Sequence, residues 1–364
     1  MLCSSPSRQA ARSSATEESV RIRMRGSSIR SCFPLLFKCL CMPISGPDVP
    51  QDPWQGKKKK KKRQGTGQSS ASLDTRPAKG LFFSHLTAQS PQPIALSVII
   101  TTSPGREQNL DGCLQLLARQ QLPPDEVIVV DDGSQAGEAV VRRHAAGLKL
   151  SYLWRPNDCR VALSRNLGAG RASGSQLVFL DADMLLNPFG LQAYAEYLDA
   201  FPGHALYAYY GYAAEHVASS CLLPPRQVLW CDHRFERYDP DGLEPALNMI
   251  RYPHEWAWSG NFALSKVLFE RAGGFNPRYL GWGGEDLDFA SRLLAHAQIH
   301  FFLDAWAEQQ LHRRDERFHT LDNSEKEVIY QSHYDEPGYK PRVLYSEAGW
   351  KRLRQAIGHY LGEK

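Results

Sequence analysis

The sequence predicts an α/β fold built on a mostly parallel sheet with helices on both faces. Three observations carry that reading. Apolar, β-branched runs recur at Leu96–Thr102, Glu126–Val130 and Gln176–Leu180, each too continuously apolar to leave one face in solvent. The stretches between them carry apolar residues at helical spacing instead. The links are short and marked by Pro, Gly and Asp, and strands alternating with helices over short links bury a parallel sheet between helical layers.

In chain order, Leu96–Thr102 reads as the first buried strand. A helix follows, its apolar face marked by Leu110, Cys113, Leu114, Leu116 and Leu117, and Pro123-Pro124 ends that region. Glu126–Asp132 reads as a second strand, with Gly133-Ser134 turning the chain. A helix from about Ala136 to Ala146 and a strand over Leu148–Trp154 come next. Residues 161–173 are rich in Ala, Leu and Arg and read as a helix closing at Gly174. Gln176–Leu180 is a further strand, ending in Asp181-Ala182-Asp183. From 205 to 255 Tyr, Pro and His dominate and no period emerges. Trp256–Leu264 then reads as a strand and Lys266–Ala272 as a short helix capped by Gly273-Gly274. Asp286–Ala297 reads as a helix, Ile299–Leu303 as a strand and Ser346–Leu361 as an amphipathic surface helix.

Charge divides the chain. Residues 1–92 hold 16 Lys/Arg against 5 Asp/Glu, a balance of +11, while the remainder stands at −7. A mildly acidic core argues against nucleic-acid binding, which needs a basic surface to neutralise phosphates. The first segment is Ser-, Arg- and Pro-rich, includes the run Lys57–Arg63 and shows no period, so it is expected to be a disordered basic tail. Eight cysteines contain no C-x-x-C pair, which removes zinc-knuckle and dithiol readings. No stretch reaches the roughly 18–20 apolar residues of a membrane helix. The expected location is cytoplasmic, with peripheral contact of the basic tail with a membrane as an added option. The expected division is 1–92 tail, 93–205 and 206–320 as two halves of one domain, and 321–364 as an extension with a surface helix.

Four constellations carry chemistry. Asp181-Ala182-Asp183 sits where a buried strand ends, and ligands of such sheets bind at the carboxyl ends of strands. Paired hard oxygens there suit a divalent cation that in turn neutralises phosphate. Asp131-Asp132-Gly133-Ser134 reads equally as a turn and as a carboxylate for a base N–H or a ribose hydroxyl. In Gly281-Trp282-Gly283-Gly284-Glu285-Asp286, glycines let a ligand approach, Trp282 offers a flat face to a sugar ring, and Asp286 at a helix start suits a general base. His312, after the last strand, is placed to complete a metal shell with Asp183.

These motifs in this order resemble family 2 glycosyltransferases of the GT-A fold, a Rossmann-like α/β architecture. The matching residues are Ser97–Ile100, Val129–Ser134, Arg165-Asn166-Leu167-Gly168 and Phe179–Asp183. Gly273-Gly274-Phe275, Trp282–Asp286 and Leu311–Asp315 resemble the C-terminal region of β-1,4-galactosyltransferases and chondroitin-type polymerases. The resemblance implies Mn²⁺ or Mg²⁺ at Asp183 and His312, with Asp181 near the ribose or the metal's water. It implies Asp132 at the nucleotide base and Arg165 near the diphosphate. Asp286 would be the general base and Glu285 a holder of acceptor hydroxyls, with Trp258, Gly260 and Trp282 shaping the acceptor pocket. The implied reaction is inverting transfer of a hexose or N-acetylhexosamine from a nucleotide-sugar, most simply UDP-linked, to a glycan, lipid or protein. Two other classes stay open: a nucleotidyltransferase acting on sugar phosphates, and a non-catalytic carbohydrate-binding protein.

Overall fold

The computed structural model describes residues 95–211, 217–223, 226–229, 232, 257–281, 283–312 and 342–361, all within a unit spanning 75–364. The expected basic tail and Trp282 lie outside the described residues. The elements are β1 (Leu96–Thr102), α1 (Glu107–Leu117), β2 (Glu126–Asp132), α2 (Gly137–His144), β3 (Leu150–Arg155), α3 (Val161–Arg171), β4 (Gln176–Asp181), β5 (Met184–Leu186), α4 (Gly190–Ala200) and β6 (His204–Tyr210). Then follow β7 (Val217–Ser219), β8 (Gln227–Leu229), β9 (Asn261–Ser265), α5 (Lys266–Arg271), α6 (Glu285–Leu293), β10 (Gln298–Gln310), β11 (Val343–Leu344) and α7 (Glu347–Leu361).

One sheet unites the described strands, in the order β3-β2-β1-β4-β9-β6-β10-β8-β7, with β5 and β11 also on β10. The pairs β2–β3, β1–β2 and β1–β4 are parallel, as the continuous apolar runs predict. The chain steps outward from β1 to β3 and then returns to β4 on the other side of β1. That reversal puts a switch point at the carboxyl ends of β1 and β4, where crevices open in such sheets.

Alternation along β1 explains the two layers. Leu96, Val98 and Ile100 face a core shared with α1, α2 and α4, while Ile99 faces a core shared with α3, α5 and α6. Each fully buried aliphatic side chain contributes about 1.5–3 kcal/mol relative to exposure. On the second face, Gly168 lets α3 lie directly on Ile99, since a Cβ there would collide with the Ile99 Cγ2. That close approach carries Arg165 to the strand ends.

The second half of the sheet departs from the expected pattern. β9 runs antiparallel to both β4 and β6, so the sheet is mixed rather than parallel throughout. Its strand begins at Asn261 and not at Trp256, because Ser259-Gly260 form a turn. The sequence reading gave no assignment to α4 and β6; β6 lies between β9 and β10 in the sheet, and α4 packs in the core shared with α1 and α2. β10 spans thirteen residues where an apolar run of five was expected. Its polar second half, with Asp304, Glu308 and Gln310 all buried, is satisfied by backbone N–H groups of Ser346 and Cys221 and by the Arg226 side chain. Among the described residues no helix is long and apolar enough to cross a membrane.

Candidate active site

The site is built at the switch point. Thr101 of β1 stands opposite Asp181 of β4. The backbone N–H of Asp181 donates to the Gly260 carbonyl at 3.0 Å, and that of Ala182 donates to the Thr101 carbonyl at 3.1 Å. The chain is thus held by hydrogen bonds as it leaves the strand, which fixes both carboxylates of the D-x-D run. Asp181 Oδ1 accepts from Thr101 Oγ1 at 3.2 Å and from Arg165 Nη2 at 3.1 Å.

Asp183 turns toward β10. The antiparallel pairing of β5 with β10 sets Met184 opposite Gln309, and the Gln310 N–H donates to the Asp183 carbonyl at 2.8 Å. That register delivers His312, whose Nε2 lies 3.0 Å from Asp183 Oδ2. Gln309 Nε2 donates to the same oxygen at 3.1 Å, while Oδ1 is buried without a hydrogen-bond partner. Burial, reinforced by the charge of Asp181, pushes the Asp183 carboxyl up to about 6, against the lowering effect of Gln309 and Arg106.

Arg165 joins the two ends of the site. Its buried guanidinium donates from Nη1 to Glu285 Oε1 at 3.0 Å as well as to Asp181, and its Cζ lies 5.2 Å from the Phe275 ring centroid. Burial disfavours its charge, but Asp181, Glu285 and Asp286 outweigh that and raise its pKa. The resemblance implies this residue near a diphosphate; in the structure both terminal nitrogens have carboxylate partners, and the guanidinium bridges α3, β4 and α6.

The third element is the start of α6, where Gly283 and Gly284 adopt φ of 84° and 94°, left-handed conformations that favour glycine. The helix opens with Glu285, Asp286 and Asp288 in its first turn. Glu285 is buried, and its Oε2 has no hydrogen-bond partner. Asp286 is partly exposed. Burial and the adjacent Glu285 charge push it up to about 7, with Arg165 pulling the other way. The Gly281 N–H donates to the Cys159 carbonyl at 2.7 Å, tying this loop to the connection between β3 and α3.

Asp132 stands apart, at the end of β2, with Oδ1 2.5 Å from Arg155 Nη1. Burial pushes its carboxyl up to about 6; Arg155 lowers it and Asp158 raises it. The turn reading of the Asp-Asp-Gly-Ser run falls on the first acid. Asp131 builds the turn, accepting from the Ser134 N–H at 3.0 Å, the Gly137 N–H at 3.1 Å and the Tyr152 hydroxyl at 2.8 Å. Asp132 takes no part in it. Trp258 packs beside Tyr210, with ring centroids 6.3 Å apart. Gly260 is small because Met184 and Tyr210 crowd it: a Cβ would stand 2.9 Å from Met184 Cε and 3.1 Å from the Tyr210 hydroxyl.

The structure therefore brings Asp181, Arg165 and Glu285 into direct contact, with Asp286 beside them, and pairs Asp183 with His312. Among the described residues no group of three or more His, Cys, Asp or Glu gathers as a metal cage, so Asp183 and His312 are a pair of donors. Sequence reasoning missed Thr101, Gln309 and Arg155, whose roles arise from strand register that no local pattern announces.

Two family models match successive parts of the chain. Residues 97–217 match the family described as glycosyl transferase family 2, and residues 245–313 match one described as the N-terminal domain of galactosyltransferase. A validoxylamine A glucosyltransferase of Streptomyces hygroscopicus subsp. limoneus is 34% identical over 242 residues, covering 60% of this chain and 52% of that protein. A chondroitin synthase of Escherichia coli is 30% identical over 226 residues, covering 54% of this chain and 32% of that one. The chain thus spans about half the length of the glucosyltransferase it matches and a third of the synthase. A crystal structure of S. aureus TarS residues 1–349 in complex with UDP-GlcNAc aligns with a TM-score of 0.48 at 18% identity, covering 74% of this chain and 73% of that one. The two family matches follow one another along the chain in the order the motifs predict: a segment similar to family 2 glycosyltransferases, followed by one similar to a galactosyltransferase domain.

Proposed function

We propose that this chain transfers a hexose or N-acetylhexosamine from a nucleotide-sugar, UDP-linked, to a hydroxyl of a glycan, lipid or protein acceptor, with inversion at the anomeric carbon. The observation that carries the proposal is the ionic chain Asp181–Arg165–Glu285, which joins the D-x-D end of β4 to the acidic start of α6. It supports a donor end and an acceptor end within one cleft, with residues 93–205 serving the first and 206–320 the second. Matches to a glucosyltransferase and a chondroitin synthase support the sugar class.

The donor set at Asp183 and His312 fits Mn²⁺ or Mg²⁺. A buried carboxylate oxygen without a partner, beside an imidazole nitrogen, offers one hard oxygen and one nitrogen, leaving other positions to phosphate oxygens and water. When bound, the ion supplies positive charge for the departing nucleoside diphosphate. In this reading, Asp286 takes the proton of the acceptor hydroxyl as its oxygen bonds to the anomeric carbon. The bond from that carbon to the diphosphate oxygen breaks, and the electron pair leaves with the nucleotide. Glu285 Oε2 accepts from a second acceptor hydroxyl and orients it. Trp258, Gly260 and Trp282 shape the acceptor pocket, Asp132 meets the base, and Asp181 lies near the ribose. Arg165 holds Asp181 and Glu285 in register. One base on one face gives a β-linkage from an α-linked donor.

The test is a panel of UDP-sugars with and without Mn²⁺, read by UDP release and by product mass, beside a parallel panel of nucleoside triphosphates with sugar phosphates. Metal-stimulated UDP release with sugar transfer is the expected result. Pyrophosphate release in the second panel alone would move the chain to nucleotidyl transfer.

A further inference from the structure

Helix α3 sends two consecutive residues toward the start of α6, and only the first belongs to the ionic chain. The second, Asn166, reaches the turn that precedes α6. Its Nδ2 donates to the Phe275 carbonyl at 2.7 Å and its Oδ1 accepts from the Phe275 N–H at 2.8 Å. One carboxamide thereby satisfies both backbone groups of a single buried residue, as a neighbouring strand would. The ring so held is the one beneath the Arg165 guanidinium, and it also stacks on Phe289 of α6 with centroids 4.4 Å apart.

The turn is gripped from the other side as well. Arg292 of α6 donates from Nη2 to the Gly274 carbonyl at 2.7 Å and is itself held by Asp288 at 2.7 Å. Gly274 has φ of 65°, and a Cβ there would lie 2.8 Å from Asn166 Oδ1, so the close approach of the carboxamide needs glycine at this position. The grip from α3 and the grip from α6 meet on two adjacent residues, Gly274 and Phe275. The clasp adds a second link between α3 and the chain leading to α6, beside the Arg165–Glu285 ion pair.

We infer that Asn166 is a positioning residue for glycosyl transfer: by clasping Phe275 under Arg165 it sets where that guanidinium stands between Asp181 and the Glu285–Asp286 pair. The inference rests on the proposed reading of Asp286 as the base. The charged groups acting on Asp286 are Glu285 from its own helix, which opposes its ionisation, and Arg165 from α3, which favours it; the Leu287 N–H donates to Asp286 Oδ1 at 2.9 Å. When Phe275 loses its clasp, its two backbone groups must find other partners and the ring shifts. Arg165 then loses the surface on which it rests and moves away from the acids. Its pull on Asp286 weakens, and the base holds its proton to higher pH.

The experiment compares the full chain with Asn166→Ala, measuring kcat, donor KM and the pH profile of kcat. The expected result is a loss in kcat of about tenfold or more, a change in donor KM smaller than the loss in kcat because Asp132 and the Asp183–His312 pair lie outside the clasp, and an acid limb displaced to higher pH. Phe275→Leu keeps an apolar side chain and both backbone bonds while removing the ring, and it is expected to displace the limb in the same direction. It also covers the case in which Asn166→Ala does not fold. An acid limb that stays in place in the folded variants, with kcat falling only in proportion to the folded fraction, overturns the inference and leaves Asn166 a structural residue. Retained turnover in Asp286→Asn would instead overturn the assignment of the base, whatever Asn166 does.

Discussion

Asp286→Asn separates a catalytic carboxylate from a structural one, because the two roles predict opposite changes in stability and activity. The substitution keeps size and the hydrogen bond from the Leu287 N–H while removing the charge. Loss of a general base lowers kcat by about 10²–10⁴-fold, or roughly 3–5 kcal/mol in the barrier. Stability should move the other way. The Asp286 carboxyl titrates at about 7 in the folded chain against an ordinary 3.8, held up by burial and by Glu285. A raised folded pKa means the fold favours the protonated form. That contribution is complete below the ordinary value and is lost as pH rises through 7. At pH 8 the ionised carboxylate therefore costs up to ~4 kcal/mol as an upper bound. Partial exposure screens this, so roughly 1–3 kcal/mol is the expected gain for the Asn variant. The gain should be smaller at pH 5, where more of the folded wild type is protonated. The assay is urea denaturation followed by circular dichroism at pH 5 and pH 8, beside kcat at pH 8. A variant no more stable than wild type at pH 8, or one retaining more than about a tenth of the activity, would refute the reasoning.

Two further substitutions test the ends of the cleft. Asp183→Asn and His312→Ala each remove one of two donors, so Mn²⁺ affinity measured by the electron paramagnetic resonance signal of free Mn²⁺ should fall by at least about tenfold, with circular dichroism unchanged; unaltered affinity would place the ion elsewhere. Asp132→Ala removes a carboxylate outside the ionic cluster and next to Arg155, so donor KM should rise about tenfold with kcat within about twofold; a fall in kcat at constant KM would contradict its assignment to the nucleotide base.

What was legible in the sequence and what was not divide along a physical line. Local pattern exposes any residue whose position is set by its own element. The strand ends at Asp132 and Asp181 follow from apolar runs that stop at acids, and the start of α6 follows from glycines ahead of Glu285-Asp286. Asp131, bonded to the Ser134 and Gly137 N–H groups a few residues on, is readable as turn chemistry on the same grounds. Residues whose role is set by register between distant elements left no such trace. Gln309 matters because β5 pairs antiparallel with β10, and Thr101 because β1 and β4 lie side by side. Neither pairing can be inferred from composition at either end.

β10 shows why the second half of the fold resisted reading. A strand is recognised by what it buries, and residues 304–310 bury Asp304, Glu308 and Gln310, which normally mark a solvent face. They are affordable only because each meets a partner from far along the chain: Ser346 for Asp304, the Cys221 N–H at 2.9 Å for Glu308, and Arg226 at 2.8 Å for Gln310. Removing such a partner leaves a buried polar group unsatisfied, at about 1–3 kcal/mol each. The polar half of the strand is also what carries the chain from the apolar core to His312. The position of the proposed metal ligand therefore rests on the pairing of this half of β10 with β5 and β8, and on polar contacts that satisfy its buried side chains.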